Sequence, residues 1–555
     1  MKLAAGARPI APLGCDLRRI APTLVAGLLA IGYVIVSPPS TDLATHLFRA
    51  KLFDAQGFGS WDNWWYAGHH VPGYSVLFPP IAASISPQLA AALAAIASAA
   101  LFESLAHRHF GSGAWLGALW FGAATATELF TGRLTFAFGL APAIATALAL
   151  QRGRPWIAGG LGVLTALASP VAALFAALAG AAYAVGGMGA TGATGATGPP
   201  AAASAGAGGR GTGSNRRILA GLAVVLAALA PVVALAIAFP EGGSEPFAFA
   251  TLWPVVLIAL VAVWAIPTRD RGLRAGVVLY ALGCIVAFEL STPVGSNAAR
   301  LGPLVAGPLA ALIWWRGRET LLIVAALPLL YVQWQAPIGQ VGTAAGDPST
   351  SSSYYQPVLS FLARQPGPPF RTEIPFTQLR GETYEVAPRF SIARGWERQL
   401  DIKYNPLFYG KPLTAASYDG WLHRLAIRFV AVSDAKLDYS AVQENALIDR
   451  GLPYLHLVRH TRHWRVYAVA DPTPIVEGAA SLRKLGPNSL TLYASRPGTA
   501  LVRMRFTPYW ALAGAPGCVA PTGDFTRLTL RRAGPVRLVI RFSLARIGAR
   551  SPRCG

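Results

Sequence analysis

Asp42, His46 and Arg49 succeed one another at intervals of four and three residues in Ser40–Arg49, the first polar stretch after a long apolar run. That spacing stacks a carboxylate, an imidazole and a guanidinium on one face of a short helix. Ser40 or Thr41 is placed to cap the helix, and Asp42 suits its positive end. A carboxylate partly desolvated at a bilayer edge is suited to general-base work, and ionisable groups there are costly to keep. The alternative for Asp42 is a plain helix-start residue. His46 and Arg49 are placed to orient Asp42 or to meet a phosphate; the alternative is a solvated face.

The run Trp61–Tyr74 holds the next candidates, with Trp65, Tyr66 and His69 at its centre. Aromatic faces combine apolar area with polar edges and suit stacking on a sugar ring, although Trp and Tyr also gather at membrane surfaces for purely physical reasons. His69 and His70 are adjacent and point different ways, a poor pair for a metal. Arg300 follows Asn297 in a Gly-Ser turn at the start of an apolar run, where a guanidinium either takes a phosphate bidentately or snorkels to the interface. Arg133, in Thr131-Gly132-Arg133, is a similar candidate.

What must position these residues is a membrane domain. The 555 residues are 53% hydrophobic and 13% charged, which excludes an ordinary soluble enzyme for much of the chain. Apolar runs recur at Ile20–Val36, Pro87–Ala106, Ala114–Phe130, Leu134–Leu150, Trp156–Ala168, Val171–Val185, Ile218–Phe239, Phe247–Ile266, Ala275–Leu290, Leu301–Trp315 and Leu321–Trp334, giving about eleven transmembrane helices. With the N-terminus cytoplasmic, most Lys and Arg of the first 335 residues fall inside, and Arg49, Lys51, Arg133 and Arg300 fall outside. The first loop, 37–86, is then extracytoplasmic, as is everything after the last span. The first span is too long for a signal peptide and lacks its cleavage site, so it reads as retained.

The domains expected are a transmembrane domain over 1–335, a linker over 336–353, a mixed α/β domain over 354–470 and a β-sandwich over 471–555, where segments alternate apolar and polar residues between turns. The Gly, Ala and Ser-rich stretch 186–215 reads as a disordered cytoplasmic loop. The net charge of +22 is shared by the inner rims and an Arg-rich outer domain, which favours anionic headgroups or sugar phosphates and leaves nucleic acid a poor partner on that face. Cys518 and Cys554 share the oxidising side and are expected to form a disulfide.

Asp42-x-x-x-His46-x-x-Arg49 after a first span, an aromatic loop ending at Phe78-Pro79-Pro80, many further spans and an outer C-terminal domain together resemble the GT-C superfamily of polyprenyl-phosphate-sugar-dependent glycosyltransferases. Gly132-Arg133-Leu134-Thr135-Phe136, Ala168-Ser169-Pro170-Val171 and Ala393–Asp401 are similar to wording in the bacterial YfhO-like membrane proteins. The resemblance implies a catalytic acid in the first outer loop, which maps onto Asp42. It implies an inverting transfer of a hexose or pentose from a polyprenyl-phosphate donor to an envelope glycan, lipid or protein, with the lipid chain in a groove between spans. No Asp-x-Asp stands in the loop, so a divalent metal stays open. A transporter or lipid flippase and a non-catalytic envelope scaffold are the rival readings. Transporters tend to carry paired halves and midplane charges, and the span interiors here are nearly free of charge.

Overall fold

The computed structural model describes residues 17–188 and 209–555, with side chains described from 214 in the second stretch. Cys15 and most of the expected loop 186–215 lie outside the described residues.

Each of the eleven apolar runs coincides with a helix to within two residues at any end that overruns it. They are α1 (Leu17–Val36), then, after α2 (Leu43–Gln56) and α3 (Phe78–Ile85) in the first loop, α4 (Pro87–Phe110), α5 (Trp115–Phe130), α6 (Leu134–Gln151), α7 (Pro155–Ala168), α8 (Pro170–Met188), α9 (Gly209–Ala238), α10 (Phe249–Ala265), α11 (Arg271–Glu289), α12 (Leu301–Trp314) and α13 (Glu319–Ala344). Among the described residues seven helical segments are long and apolar enough to cross a membrane, one of them the continuous stretch Pro87–Phe130; Pro155–Ala168 and Phe249–Ala265 are shorter. The chain is a polytopic α-helical membrane protein.

Two boundaries differ from expectation. The linker expected over 336–353 is helical at its start: α13 accommodates Pro337, Gly339 and Gly342, runs to Ala344 and ends before Gly346, whose φ of 74° is left-handed. The described ends of the 186–215 stretch are also helical. Ser214 Oγ donates to the Gly187 carbonyl at 2.7 Å, joining the end of α8 to the start of α9.

The first loop also holds a two-stranded ribbon, β1 (Trp61–Asp62) and β2 (His69–His70). Beyond α13 come α14 (Ser352–Ala363), β3 (Arg371–Glu373), α15 (Glu382–Glu385), α16 (Arg398–Tyr404), α17 (Ala415–Arg424), β4 (Ile427–Ser433), α18 (Val442–Asp449), β5 (Leu455–His460) and β6 (Trp464–Val469). Their sheet has the order β3-β4-β6-β5, with β3 and β4 parallel. The remaining strands are β7 (Val476–Gly478), β8 (Ala480–Leu485), β9 (Ser489–Ala494), β10 (Gly498–Arg505), β11 (Trp510–Ala513), β12 (Gly517–Thr522), β13 (Phe525–Leu530), β14 (Gly534–Ile540) and β15 (Arg553–Cys554). They form sheets ordered β15-β12-β13-β10-β7 and β11-β14-β9-β8. Leu490, Leu492, Val536 and Leu538 from one sheet and Ala500, Val502, Val519 and Leu528 from the other share one buried core, as the inner faces of a sandwich do. Cys518 and Cys554 are bonded and lie opposite each other where β12 pairs with β15.

The first loop ties these layers together. Trp61 enters the sandwich core beside Trp510, Trp64 to Tyr66 enter the core of the sheet domain with Tyr355 and Trp464, and Ala67 enters a third cluster with Tyr418 and Trp421. One heptapeptide thus supplies side chains to three cores.

Candidate functional site

α2 lies where the helical bundle meets the C-terminal domain, and Asp42 is its first flanking residue, in helical conformation and making no side-chain capping bond. Asp42 is partly exposed, whereas His46 and Arg49 are buried. Above it, Trp396 Nε1 donates to the Thr41 carbonyl at 2.6 Å, and Gln340 of α13 accepts from the Thr41 N–H at 3.4 Å. Asp42 is coupled electrostatically to Arg300, Glu128, Tyr74 and Glu245, which belong to four separate chain segments.

His46 is neutral. Burial pushes its pKa down to about 3, the charges of Arg49 and Arg300 push the same way, and the hydrogen bond to the Gly132 carbonyl opposes them. Nε2 therefore donates to Gly132 O at 2.9 Å, and Nδ1 accepts from the Thr135 hydroxyl at 3.1 Å. The imidazole pins the turn that carries Arg133. Gly132 has φ of 76°, and a Cβ there would lie 2.1 Å from Ser40 Oγ, so only glycine brings this turn against the start of α2.

Arg49 is ion-paired with the Glu397 carboxylate, donates to the Val71 carbonyl at 3.1 Å and lies over the Tyr74 ring at 4.3 Å. Burial raises the Glu397 pKa and Arg49 lowers it. His46 and Arg49, expected to contact substrate, are both buried and bonded to protein, at the turn and at the domain seam.

Trp65, Tyr66 and His69, the expected sugar-binding residues of the loop, also lie inside the protein. All three are fully buried. Trp65 stacks on Phe48 at 3.6 Å and donates from Nε1 to the Thr383 carbonyl, and the Tyr66 hydroxyl donates to the Glu397 carbonyl at 2.9 Å. His69 stacks on Trp65 and lies 3.4 Å from Asp62, its pKa driven down to about 3 mainly by burial. Large aromatic area is released from water here by packing under the C-terminal domain. Gly395 shows how closely: a Cβ on it would sit 2.7 to 2.8 Å from the Tyr66 and Trp65 rings.

Arg133 and Arg300 keep their freedom. Arg133 begins α6, its side chain 30% exposed and 3.9 Å from the Glu128 carboxylate. Arg300 ends the turn Gly295–Arg300, partly exposed, 5.8 Å over the Phe136 ring, with Asn297 in the same turn. Burial and the Arg133 charge lower the Arg300 pKa, while Asp42 and Glu128 raise it. Glu245 touches that turn from the α10 side, where its N–H donates to the Thr292 carbonyl, and burial lifts its carboxyl to about 7 against the pull of Arg300.

Below this group runs a cavity of about 530 Å³ walled by apolar residues of α4 to α6, α8 and α10 to α13, with Glu128, Thr131, Arg133 and Gln333 among its few polar lining residues. Glu128 is buried and its Oε2 has no hydrogen-bond partner.

No protein-family model matches the chain, and no curated protein matches it. It is similar to a solved structure. The apo crystal structure of the oligosaccharyltransferase of Archaeoglobus fulgidus aligns over 76% of this chain and 70% of that one, with a TM-score of 0.47 and 13% identity.

Arg394, Arg398 and Asp401, the densest charges of the C-terminal domain, are held in ion pairs. Arg394 meets Asp401 at 2.6 Å and Glu444 at 3.2 Å, and Arg398 meets Asp438 at 2.6 Å. Among the described residues no three His, Cys, Asp or Glu side chains gather as a metal site would need. Tyr74 closes the aromatic run of the first loop and Glu245 is a lone polar residue at a span end, the signals by which the sequence marks them.

Proposed function

We propose that this protein is a membrane glycosyltransferase of the GT-C type, with motifs nearest the YfhO-like group. It moves a sugar from a polyprenyl-phosphate donor to an extracytoplasmic acceptor: an envelope glycan, lipid or protein. The carrying observation is a partly exposed Asp42 coupled electrostatically to Arg300, which is itself coupled to Arg133 in the wall of an apolar cavity of about 530 Å³. The cavity suits an isoprenoid chain, and the guanidiniums suit the phosphate at its head.

In this reading the acceptor hydroxyl attacks the anomeric carbon while Asp42 takes its proton. The bond from that carbon to the phosphate oxygen breaks, and its electron pair leaves on the phosphate. Arg300, assisted by Arg133, stabilises that charge. Attack opposite the leaving group inverts the anomeric centre. Asn297 lies beside the phosphate position, and His46 and Arg49 hold the turn and loop on which these groups stand.

The test is sugar transfer by purified protein in bilayers, wild type beside Asp42→Asn. Turnover should be lost with the melting temperature unchanged, because Asp42 makes no capping bond. Normal turnover in the variant overturns the assignment. Wild type that moves lipid between leaflets without transferring sugar from any donor would replace it with the flippase reading.

A further inference from the structure

The last turn of the chain, after β14, carries apolar and basic side chains at the level where α9 ends. Phe239, the residue following α9, packs against Phe542 at 5.4 Å and Tyr509 at 5.7 Å, and the Tyr509 hydroxyl donates to the Ala238 carbonyl. α9 contains the most apolar of the span-length segments, so these aromatics sit at a bilayer boundary. Next to them Leu544 is 76% exposed and Phe542 48% exposed.

Three guanidiniums surround this tip. Arg546 donates to the carbonyls of Ser551 and Pro508, and Arg553 donates to those of Arg541 and Tyr509. The charges acting on Arg553 are those of Arg546 and Arg541, both of its own sign. Arg541 itself is exposed. Carbonyl bonds fix the geometry of the cluster without neutralising it, and the Cys518–Cys554 bond anchors its far end.

We infer that the segment Arg541–Arg553 is a lipid-docking surface, with Phe542 and Leu544 dipping into the interface and Arg541, Arg546 and Arg553 receiving the phosphates of anionic headgroups. An apolar tip ringed by cations at the end of a span matches such a surface in both of its layers. Docking would hold the sandwich against the bilayer on the α9 side. The inference is independent of the transfer reaction.

The experiment uses full-length protein in nanodiscs, with Leu544→Cys carrying an environment-sensitive fluorophore in a Cys15→Ser background and lipids brominated near the headgroup as quencher. Quenching should be stronger with 30% phosphatidylglycerol than with phosphatidylcholine alone. Arg541→Gln should reduce that preference by up to about fivefold, the scale of one basic side chain near an anionic surface, and Arg541→Lys should restore it. Arg541→Gln leaves the carbonyl bonds of Arg546 and Arg553 in place, so folding is preserved. Equal quenching in the two lipids, or no response to Arg541→Gln, overturns the proposal. Competition by inorganic phosphate beyond that of chloride at equal ionic strength would also overturn it, assigning the cluster to a free anion.

Discussion

At the scale of single residues, exposure separates groups that the sequence presents as one set. Asp42, His46 and Arg49 share a helical face, yet His46 and Arg49 are buried and bonded while Asp42 is left partly exposed. Arg300 and Arg133 are partly exposed as well, and Arg300, coupled to Asp42, is the phosphate ligand of the proposed reaction. Arg300→Ala should weaken donor binding by about 10- to 100-fold, the worth of a charge-assisted pair, with little change in melting temperature. Donor affinity measured by titration and found unchanged would remove the phosphate role. The trio was legible as a helix face because i, i+4 and i+7 spacing is a local property. Its division into one accessible group and two structural ones was not, since the partners of Arg49 and His46 lie 348 and 86 residues away.

At the scale of elements, the first loop is a staple and its aromatics are the legs. Composition marked Trp61–Tyr66 as special, but a sugar platform, an interfacial belt and a buried seam draw on the same residue types. Trp61 is 2% exposed inside the sandwich core, so Trp61→Ala should destabilise the C-terminal domain by about 3 to 5 kcal/mol, read as faster limited proteolysis of residues 471–555. Protease resistance equal to wild type would mean the sandwich stands without the loop. The neighbouring α15 carries a pH dependence. Glu382 is fully buried, accepts from the Thr377 N–H and hydroxyl, and has its pKa raised from 4.5 to about 7, chiefly by burial. A raised acid stabilises the fold fully below about pH 4.5, and that contribution is lost as pH rises to about 7, by on the order of 3 kcal/mol. Melting temperature in detergent should therefore fall between pH 5 and 7.5, and less steeply in Glu382→Gln. Identical slopes would exclude Glu382 as a source.

At the scale of the whole molecule, the polypeptide is two layers joined at one end of a bundle. Long apolar runs revealed the helices because a bilayer demands uninterrupted hydrophobicity, and alternation revealed the sandwich strands. The end of α13 was missed because Pro337, Gly339 and Gly342 read as breakers, yet the helix continues through all three to Ala344. The layering supplies a test of orientation. α1 ends and α4 begins beside the first loop, while Arg19 pairs with Glu103 at 3.0 Å near the far ends of the same two helices. Phe58 is 76% exposed in the loop, and Arg108 is exposed in the last turn of α4. These two positions face opposite sides of the membrane whatever the absolute orientation. From the Lys and Arg asymmetry Arg108 is expected on the cytoplasmic side. In a Cys15→Ser background an impermeant maleimide added to intact cells should label Phe58→Cys and spare Arg108→Cys until the membrane is opened. The reverse pattern would place Asp42, Arg300 and the C-terminal domain in the cytoplasm, where the donor would have to present its sugar from the inner leaflet; labelling of both would break the helix pairing itself.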